Sequence, residues 1–573
     1  MDKNRRLTIW LPVIIAASVA LGIFVGNHYR TLSQSRRHIY SSGNKLNAIL
    51  DIIDEQYVDT VNMKKLVEDA IPQIFSELDP HSVYIPAKEA TMVNEELEGS
   101  FSGIGVSFNM QTDTILVINV VPGGPSEKAG LQAFDRIVSI NDSVYAGTQT
   151  DQNEIIKLLR GAKNSTVKLG VKRRNHPELL YFDVTRGDVP VNSVEVAYEP
   201  AKGIGYIKVS KFARTTYNEF ITAIAKLKEK GCTSFIVDLR GNTGGYMEAA
   251  INMVNEFMPE GRLIVYTEGK AFPRNDVYTN GTGTCQDVPF VVLTDEFSAS
   301  ASEIFTGAIQ DNDRGLVIGR RTFGKGLVQS PIKLSDGSEI RLTIARYYTP
   351  SGRSIQKKYE LGKGGEYDQD IYNRLLHGEF DSADSIKLNN LEKFETAMGR
   401  TVYGGGGIMP DIFIPRDTIG VTSYFTNAVN SGILSLYALL YSDRHYDKLS
   451  SFKTYQELYQ YLQQQPLLQE FVNFAATKGL KKRPALINIS GKLIEKQIQA
   501  YIIRNFFDED GFYPVFQSDD VTLKRAIEVI KEGKSVPTLE NKNKTRDGVA
   551  YSETKTSGRG GIAKEIVHED FVV

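Results

Sequence analysis

Val291-Val292-Leu293-Thr294-Asp295-Glu296-Phe297-Ser298-Ala299-Ser300-Ala301-Ser302-Glu303 passes from an unbroken apolar run to a serine-rich helix start within a few residues. A short apolar run of this kind reads as a strand buried on both faces of a parallel sheet. The pattern predicts a strand over 290–293 and a helix over 299–310. A serine at that junction lies beside backbone amides with no helical acceptor. Such amides can stabilise a developing oxyanion. Ser298, Ser300 and Ser302, with Glu303 in the first turn, read equally well as capping residues. This stretch alone leaves the chemistry open.

Outward from it, strands and helices alternate. Strands are predicted over 204–209, 235–239 and 316–318, and helices over 215–230 and 246–258. That order gives an α/β domain with a parallel sheet and right-handed crossovers. Asp336-Gly337 reads as a hairpin turn between 332–334 and 339–344. The core is assigned to 188–356 and 403–416, around a polar insertion at 357–402. Ahead of it, 99–187 is a small mixed domain with strands over 115–121, 137–141, 167–172 and 180–184. Residues 45–98 are helical, with Leu46, Ile49, Leu50, Ile53 and Tyr57 at helical spacing, and Asp79-Pro80-His81-Ser82 breaks the pattern. Residues 417–533 are helical throughout. Residues 534–573 form a polar tail, expected to be disordered, with an apolar end at Phe571-Val572-Val573.

At the other end, Lys3, Arg5 and Arg6 precede an uncharged run from Leu7 to Gly26. Twenty helical residues span about 30 Å, the thickness of a hydrocarbon core. Residues 1–30 are therefore expected to be a membrane anchor, with a cleaved signal peptide as the alternative. The basic end stays cytoplasmic. This places the protein in the cytoplasmic membrane as a single-pass chain, with the rest on the extracytoplasmic (periplasmic) side.

At 573 residues, with 41% hydrophobic and 24% charged, the chain is too long for one domain and too apolar for wholesale disorder. A net charge of −2 argues against a dedicated nucleic-acid partner. Two cysteines exclude a disulfide framework, a zinc ribbon or an iron–sulfur site. Cys232 and Cys285 each precede a predicted strand, which puts both thiols at one sheet end and leaves their pairing open. The seven histidines stand singly without HExxH or HxH spacing, so no metal site is expected.

Two further loops carry chemistry-bearing residues. Asp238-Leu239-Arg240-Gly241-Asn242-Thr243-Gly244-Gly245 follows a predicted strand, and its paired glycines allow close backbone approach. Thr322-Phe323-Gly324-Lys325-Gly326 places a lysine between two glycines. No histidine lies in these segments, the nearest in sequence being His176 and His377, so a Ser/His/Asp triad is disfavoured. A neutral lysine can activate a serine instead. Its pKa must then fall from ~10.4 towards ~7–8 through burial or a neighbouring cation. Arg320 and Arg321 are the nearby cations in sequence.

Ser-Ala-Ser-Ala-Ser-Glu-Ile at 298–304, Thr-Phe-Gly-Lys-Gly at 322–326 with Gln329, Ala-Arg-Tyr-Tyr-Thr-Pro-Ser-Gly-Arg-Ser-Ile-Gln at 345–356 and Gly-Gly-Gly-Ile-Met-Pro-Asp-Ile at 405–412 closely resemble the carboxy-terminal processing (tail-specific) proteases, serine peptidase family S41. The resemblance runs over roughly 45–415. It implies an α/β multi-domain chain with a crotonase-like parallel-sheet protease core, a PDZ domain at 99–187, an N-terminal membrane helix and a helical C-terminal region. The family's spacing of 25 residues between serine and lysine selects Ser300 as nucleophile and Lys325 as base, with Gln329 orienting the lysine. Its oxyanion donors map onto the Ala301 amide and a glycine amide at Gly244 or Gly245. Asp311 and Arg314 match positions taken as structural support. Ser102-Gly103-Ile104-Gly105-Val106 resembles a PDZ carboxylate-binding loop, with Val106 and Phe108 bordering the pocket and the direction of Ile104 open. The implied activity is that of a serine endopeptidase cleaving protein substrates near apolar C-termini captured by the PDZ domain. No cofactor is implied. A homodimer through the helical ends and membrane attachment through the N-terminal helix are further expectations. The competing readings are a non-catalytic binding protein on the same crotonase-like fold and a PDZ-containing envelope scaffold that recruits another hydrolase.

Overall fold

The computed structural model describes residues 15–25, 42–110, 114–148, 150–387, 391–537 and 550–551, and the chain divides into two units at Leu78/Asp79. The first unit holds the helices Ser42–Gln56 and Met63–Ser76. Asn62 caps the second by accepting from the Lys65 amide at 3.0 Å. Residues 15–25 are helical, and the rest of the run expected to anchor the chain lies outside the described residues. Among the described residues no helix is long and apolar enough to cross a membrane.

In the second unit the segment Asp79-Pro80-His81-Ser82 leads into a strand, Val83–Ile85, rather than a continued helix, and the helix Ala87–Glu98 follows. Val83–Ile85 pairs with Glu339–Tyr348. So 79–85, read from sequence with the N-terminal helices, joins the sheet that carries the lysine loop's neighbours.

The central sheet runs in the order Val194–Ala201, Ile204–Val209, Ser234–Asp238, Phe290–Thr294, Leu316–Gly319, Ile412–Phe413 and Ala550–Tyr551, parallel from the second strand onward. Every residue of Ser234–Asp238 and Phe290–Thr294 is buried. The reason is cover on both faces. Thr216–Glu229, Met247–Phe257 and Ala301–Asp311 pack Phe220, Ile224, Met253, Phe257 and Phe305 against one face. On the other, Leu523, Ala526, Val529 and Ile530 of the helix Val521–Lys531 meet Ile236, Val291, Leu293 and Ile318. The strands end in register, Asp238 beside Leu293 and Thr294 beside Gly319, so the loops that follow all emerge at one sheet edge. That edge holds the site.

A second, antiparallel sheet is built on Glu339–Tyr348, which pairs with Leu327–Lys333 through the Asp336-Gly337 turn and with Leu263–Glu268. The segment 357–402, read as a polar insertion, is not peripheral. Its helix Gly364–Leu376 buries Tyr367 and Arg374, and Arg374 donates to the carbonyls of Thr322 (3.1 Å) and Arg321 (2.8 Å).

The small domain is an antiparallel sheet, Val106–Asn109, Ile115–Val120, Arg136–Ile140, Thr166–Lys172 and Leu180–Thr185, with the helix Gln152–Leu159 closing its core through Ile155 and Leu159. It docks on the C-terminal helices. Asp443 receives Arg136 at 2.8 Å and Arg174 at 2.9 Å, and Phe134 stacks on Phe506 at 5.6 Å. Those helices span Ser423–Asn430 to Pro484–Phe516, the last kinked at Phe507 and Asp508. Cys232 and Cys285 are both buried and both free, so the pairing left open by the sequence is not made. Of the tail, Ala550–Tyr551 add a parallel strand beside Ile412–Phe413, against the expectation of disorder. Residues 538–549 and 552–573, the apolar end included, lie outside the described residues.

One ion pair in this unit has no solvent at all. Arg353 bonds Asp311 at 2.7 Å, both side chains 0% exposed, and also reaches Gln310 and the Tyr403 carbonyl. Asp311 in turn accepts from the Ser351 amide and hydroxyl. Removing one partner strands the other charge in a low dielectric. Arg353→Ala is expected to cost about 3–5 kcal/mol, read as a shifted midpoint in urea unfolding. A midpoint equal to wild type would show that the pair contributes nothing net.

Candidate active site

Three serines enter the junction, and hydrogen bonding sorts them. Ser298 donates to the Leu239 carbonyl at 2.8 Å, and Ser302 to the Asn242 carbonyl at 2.8 Å. Both are fully buried and staple the junction to the neighbouring loop. Ser300 is half-buried and sits at the N-cap of Ala301–Asp311 with φ +56° and ψ −113°. A non-glycine residue adopts this region only under strain of about 1–3 kcal/mol. The capping reading thus falls on Ser300, which holds the N-cap with Glu303 as its box partner, whereas Ser298 and Ser302 tie the junction to the neighbouring loop; Ser300 is also set apart by backbone geometry and by access.

Lys325 lies in the loop between Leu316–Gly319 and Leu327–Lys333. The loop is fixed on every side. The Gly326 amide bonds Gln356 at 2.7 Å, and Gly324, with φ +91°, brings its backbone so close that a Cβ there would meet the Gly407 amide at 3.0 Å. Lys325 Nζ donates to Gln329 Oε1 at 3.1 Å, not to Ser300, and Gln329 Nε2 donates onward to the His81 carbonyl. Burial lowers the Lys325 pKa from its ordinary value, and Arg341 adds to the effect, while Asp79 and Glu303 oppose it. The cation that helps is therefore Arg341, not the expected Arg320 or Arg321. Arg320 is spent on Glu296 at 2.6 Å and Arg321 on Glu379 at 2.5 Å.

Two bridges bring the serine turn and the lysine loop together. The Tyr347 hydroxyl bonds the Ser300 carbonyl at 3.0 Å and also the Lys325 carbonyl. One oxygen of Glu303 accepts from the Ser300 amide at 2.9 Å and from the Lys325 amide at 2.8 Å. Neither Tyr347 nor this use of Glu303 was legible as a site feature in the sequence.

Of the expected oxyanion donors, Ala301 is the first residue of its helix, so its amide has no intrahelical acceptor. The two glycines differ. The Gly244 amide donates to Asn242 Oδ1 at 2.9 Å and is therefore engaged. Of the two expected glycine amides, this leaves that of Gly245 as the candidate partner donor. Gly244 has another function: with φ +109°, its Cα backs onto Ser300, so that a Cβ would lie 2.7 Å from Ser300 Cβ.

The structure also brings in a histidine that sequence reasoning missed. Asp79 accepts from the amides of His81 (3.0 Å) and Ser82 (3.1 Å) and from Thr343 (2.8 Å), which pins this turn to the second sheet. The His81 ring bonds the Tyr367 hydroxyl at 2.9 Å. Burial, then the Lys325 charge, push its pKa down to about 3, so the ring is neutral and holds its carbonyl against Gln329. The Asp79-Pro80-His81-Ser82 break was the available signal. The expected support residues sit where support is needed: Asp311 in the buried pair, and Arg314 bonded to the carbonyls of Phe257, Cys285 and Val288.

In the small domain, Gly105 has φ +74° and Gly103 ends the strand Ser100–Gly103. Val106 and Phe108 lie on one face of Val106–Asn109, half-buried against the domain core. Among the described residues this strand has one partner, Ile115–Val120, so its other edge is open to an extended peptide. Ile104 is 3% exposed and packs inside, so its side chain belongs to the core and not to a pocket.

A strained serine at a helix start, a desolvated lysine held by an amide side chain, and amides free of helical acceptors can together run acyl transfer with no histidine base. The chain matches the models for peptidase family S41 over 203–370, a PDZ domain over 102–197 and the N-terminal domain of the activating protease CtpB over 26–89. A family of unknown function matches 424–508. The carboxy-terminal processing protease CtpB of Bacillus subtilis is 33% identical over 317 residues, which cover 55% of this chain and 65% of that one. CtpA of the same organism is 34% identical over 369 residues, 62% of this chain and 76% of that one. A solved photosystem II D1 C-terminal processing protease is 28% identical, covering 53% of this chain and 88% of the other, with a TM-score of 0.30. The chain belongs to the carboxy-terminal processing proteases of peptidase family S41, with a PDZ domain and a helical C-terminal region.

Proposed function

We propose that this chain is a serine endopeptidase that cleaves protein substrates near their C-termini with a Ser300/Lys325 dyad, the PDZ domain capturing the apolar C-terminus. The observation that carries the reading is the meeting of strained, accessible Ser300 and desolvated Lys325 on one Tyr347 hydroxyl. Neutral Lys325 takes the proton of Ser300 Oγ as that oxygen bonds the scissile carbonyl carbon. The carbonyl electrons move onto oxygen, where the Ala301 and Gly245 amides receive them. Collapse of the tetrahedral species expels the amine, which leaves with the proton from Lys325. Water, deprotonated by the again-neutral lysine, then frees the acyl group from Ser300. Gln329 aims the amine and His81 aims Gln329. The protease core is of the crotonase-like type in this reading. Residues 1–30 hold the chain at the cytoplasmic membrane, catalytic part outside, and two copies associate through the helical ends.

The test is a peptide ending in valine or another apolar residue, compared with its C-terminal amide, digested across pH 5–10 and read by mass spectrometry. Only neutral Lys325 accepts a proton, so the rate should rise with pH through the lysine's lowered pKa. Amidation removes a charge-assisted bond of about 1.5 kcal/mol and should raise KM roughly tenfold. No cleavage of either peptide at any pH would sink the proposal; equal KM would sink the capture step.

A further inference from the structure

Glu303 is 0% exposed, yet it is a carboxylate with four donors. One oxygen takes the Ser300 and Lys325 amides at 2.9 and 2.8 Å; the other takes the Gly324 amide at 2.8 Å and the Thr322 hydroxyl at 2.5 Å. A capping box needs only the first of these bonds, and at a surface helix water would serve the rest. Here three of the four donors come from the lysine loop, in the same carboxylate that closes the serine turn. Burying an ionised carboxyl is costly unless it is fully bonded. The sequence thus places a charge where only a link between these two segments makes use of it.

Resting on the Ser/Lys reading above, we propose that Glu303 is the positioning residue of the pair: its carboxylate clamps the serine turn to the lysine loop, and Ser300 reacts only while the clamp is ionised. Protonation would remove the charge that holds three backbone amides, and a hydrogen on the oxygen facing Ser300 and Lys325 would meet only N–H donors, so the clamp would open. The groups facing Glu303 are Lys325 and Thr322 on the loop, Tyr347 on Glu339–Tyr348 and Tyr367 on Gly364–Leu376. Arg341, Asp79 and His81 are the charged and titratable groups that act on Lys325 itself. Burial outweighs the four bonds and pushes Glu303 up to about 7, so the clamp opens within the working range of pH.

The test compares full-length wild type, Glu303→Gln, Glu303→Asp, Ser300→Ala and Lys325→Ala on one fluorogenic peptide from pH 5 to 10. In wild type, both Glu303 and Lys325 must lose protons, so the acid limb of kcat should fall with more than one proton. Glu303→Gln should lower kcat by about 100-fold, the cost of a displacement near 1 Å. Its residual activity should follow a one-proton limb at lower pH, because the carboxylate that favours the Lys325 ammonium form is gone. KM should stay within about threefold, because the loss falls on the transition state. Glu303→Asp keeps the charge and should keep the steep limb at reduced kcat. A folded Glu303→Gln with wild-type kcat and limb overturns the proposal. If Glu303→Gln does not fold, Glu303→Asp decides: unchanged kcat overturns it, reduced kcat on a steep limb supports it. Activity surviving in Ser300→Ala or Lys325→Ala would instead overturn the dyad, whereas inactive dyad variants beside a normal Glu303→Gln would remove the clamp alone.

Discussion

Ser300→Ala is expected to lower kcat for peptide cleavage by roughly 10⁴–10⁶-fold, and Lys325→Ala by a comparable factor. The double variant should be no worse than either single one, because in the proposed dyad nucleophile and base act as a unit and their losses do not add. Both proteins should stay folded. Ser300 is half-buried and, among the described residues, its hydroxyl bonds no neighbouring loop, unlike those of Ser298 and Ser302, which bond the carbonyls of Leu239 and Asn242. Alanine at either of those two should cost about 1 kcal/mol of stability, with a smaller effect on rate. Lys325 is desolvated and makes one side-chain bond, to Gln329, so its removal relieves a buried amine. Covalent labelling by a fluorophosphonate, followed by peptide mapping, locates the acylated serine independently of turnover. Full activity in Lys325→Ala, or label on a serine other than Ser300, would overturn the dyad.

The parts of this site that could be read in the sequence were local ones. Apolar runs at 290–293 and 235–239 announce strands buried on both faces because nothing polar interrupts them, and the serine-rich start of the next helix follows within the same short window. Glycines on both sides of Lys325 announce a tight loop, and Gly324 does have positive φ. What stayed hidden was the material supplied from a distance. His81 meets Gln329 across 248 residues, and Thr343 meets Asp79 across 264. No periodicity encodes such a meeting; it follows from Val83–Ile85 adding to the second sheet. Sequence proximity also misled. Arg320 and Arg321 stand close to Lys325 along the chain, but their guanidiniums turn to Glu296 and Glu379. Arg341, sixteen positions away on a paired strand, supplies the charge that acts. The polar composition of 357–402 suggested a surface excursion, yet Tyr367, Arg374 and Lys357 are buried against the loop, where Lys357 stacks on Phe323 at 4.0 Å and on Tyr367 at 3.9 Å. Composition reports the average of a segment, while the site uses its exceptions.

Gly244 and Gly241 separate two costs that a glycine loop otherwise confounds. Both have positive φ, +109° at Gly244 and +73° at Gly241. A Cβ at Gly241 meets nothing within 4 Å, so Gly241→Ala carries backbone strain alone. That strain is about 1 kcal/mol, and kcat should stay within a few-fold of wild type. A Cβ at Gly244 lies 2.7 Å from Ser300 Cβ, 2.9 Å from the Ala299 carbonyl oxygen and 3.1 Å from the Ala301 amide nitrogen. None of these is the free end of a long side chain, so the serine turn itself must move. The amide that moves is the expected oxyanion donor, and its hydroxyl neighbour is the proposed nucleophile. Losing one such donor costs roughly 10²–10³ in kcat. Gly244→Ala should lose at least that, with KM little changed, because the PDZ domain proposed to capture the C-terminus is untouched. Asn242 Oδ1 should still hold the residue-244 amide at its 2.9 Å contact, which keeps the loop in place while the serine is displaced. Steady-state kinetics on the two variants, with urea unfolding beside them, checks the separation. Equal kcat in Gly241→Ala and Gly244→Ala would mean that close packing against Ser300 has no part in placing the nucleophile.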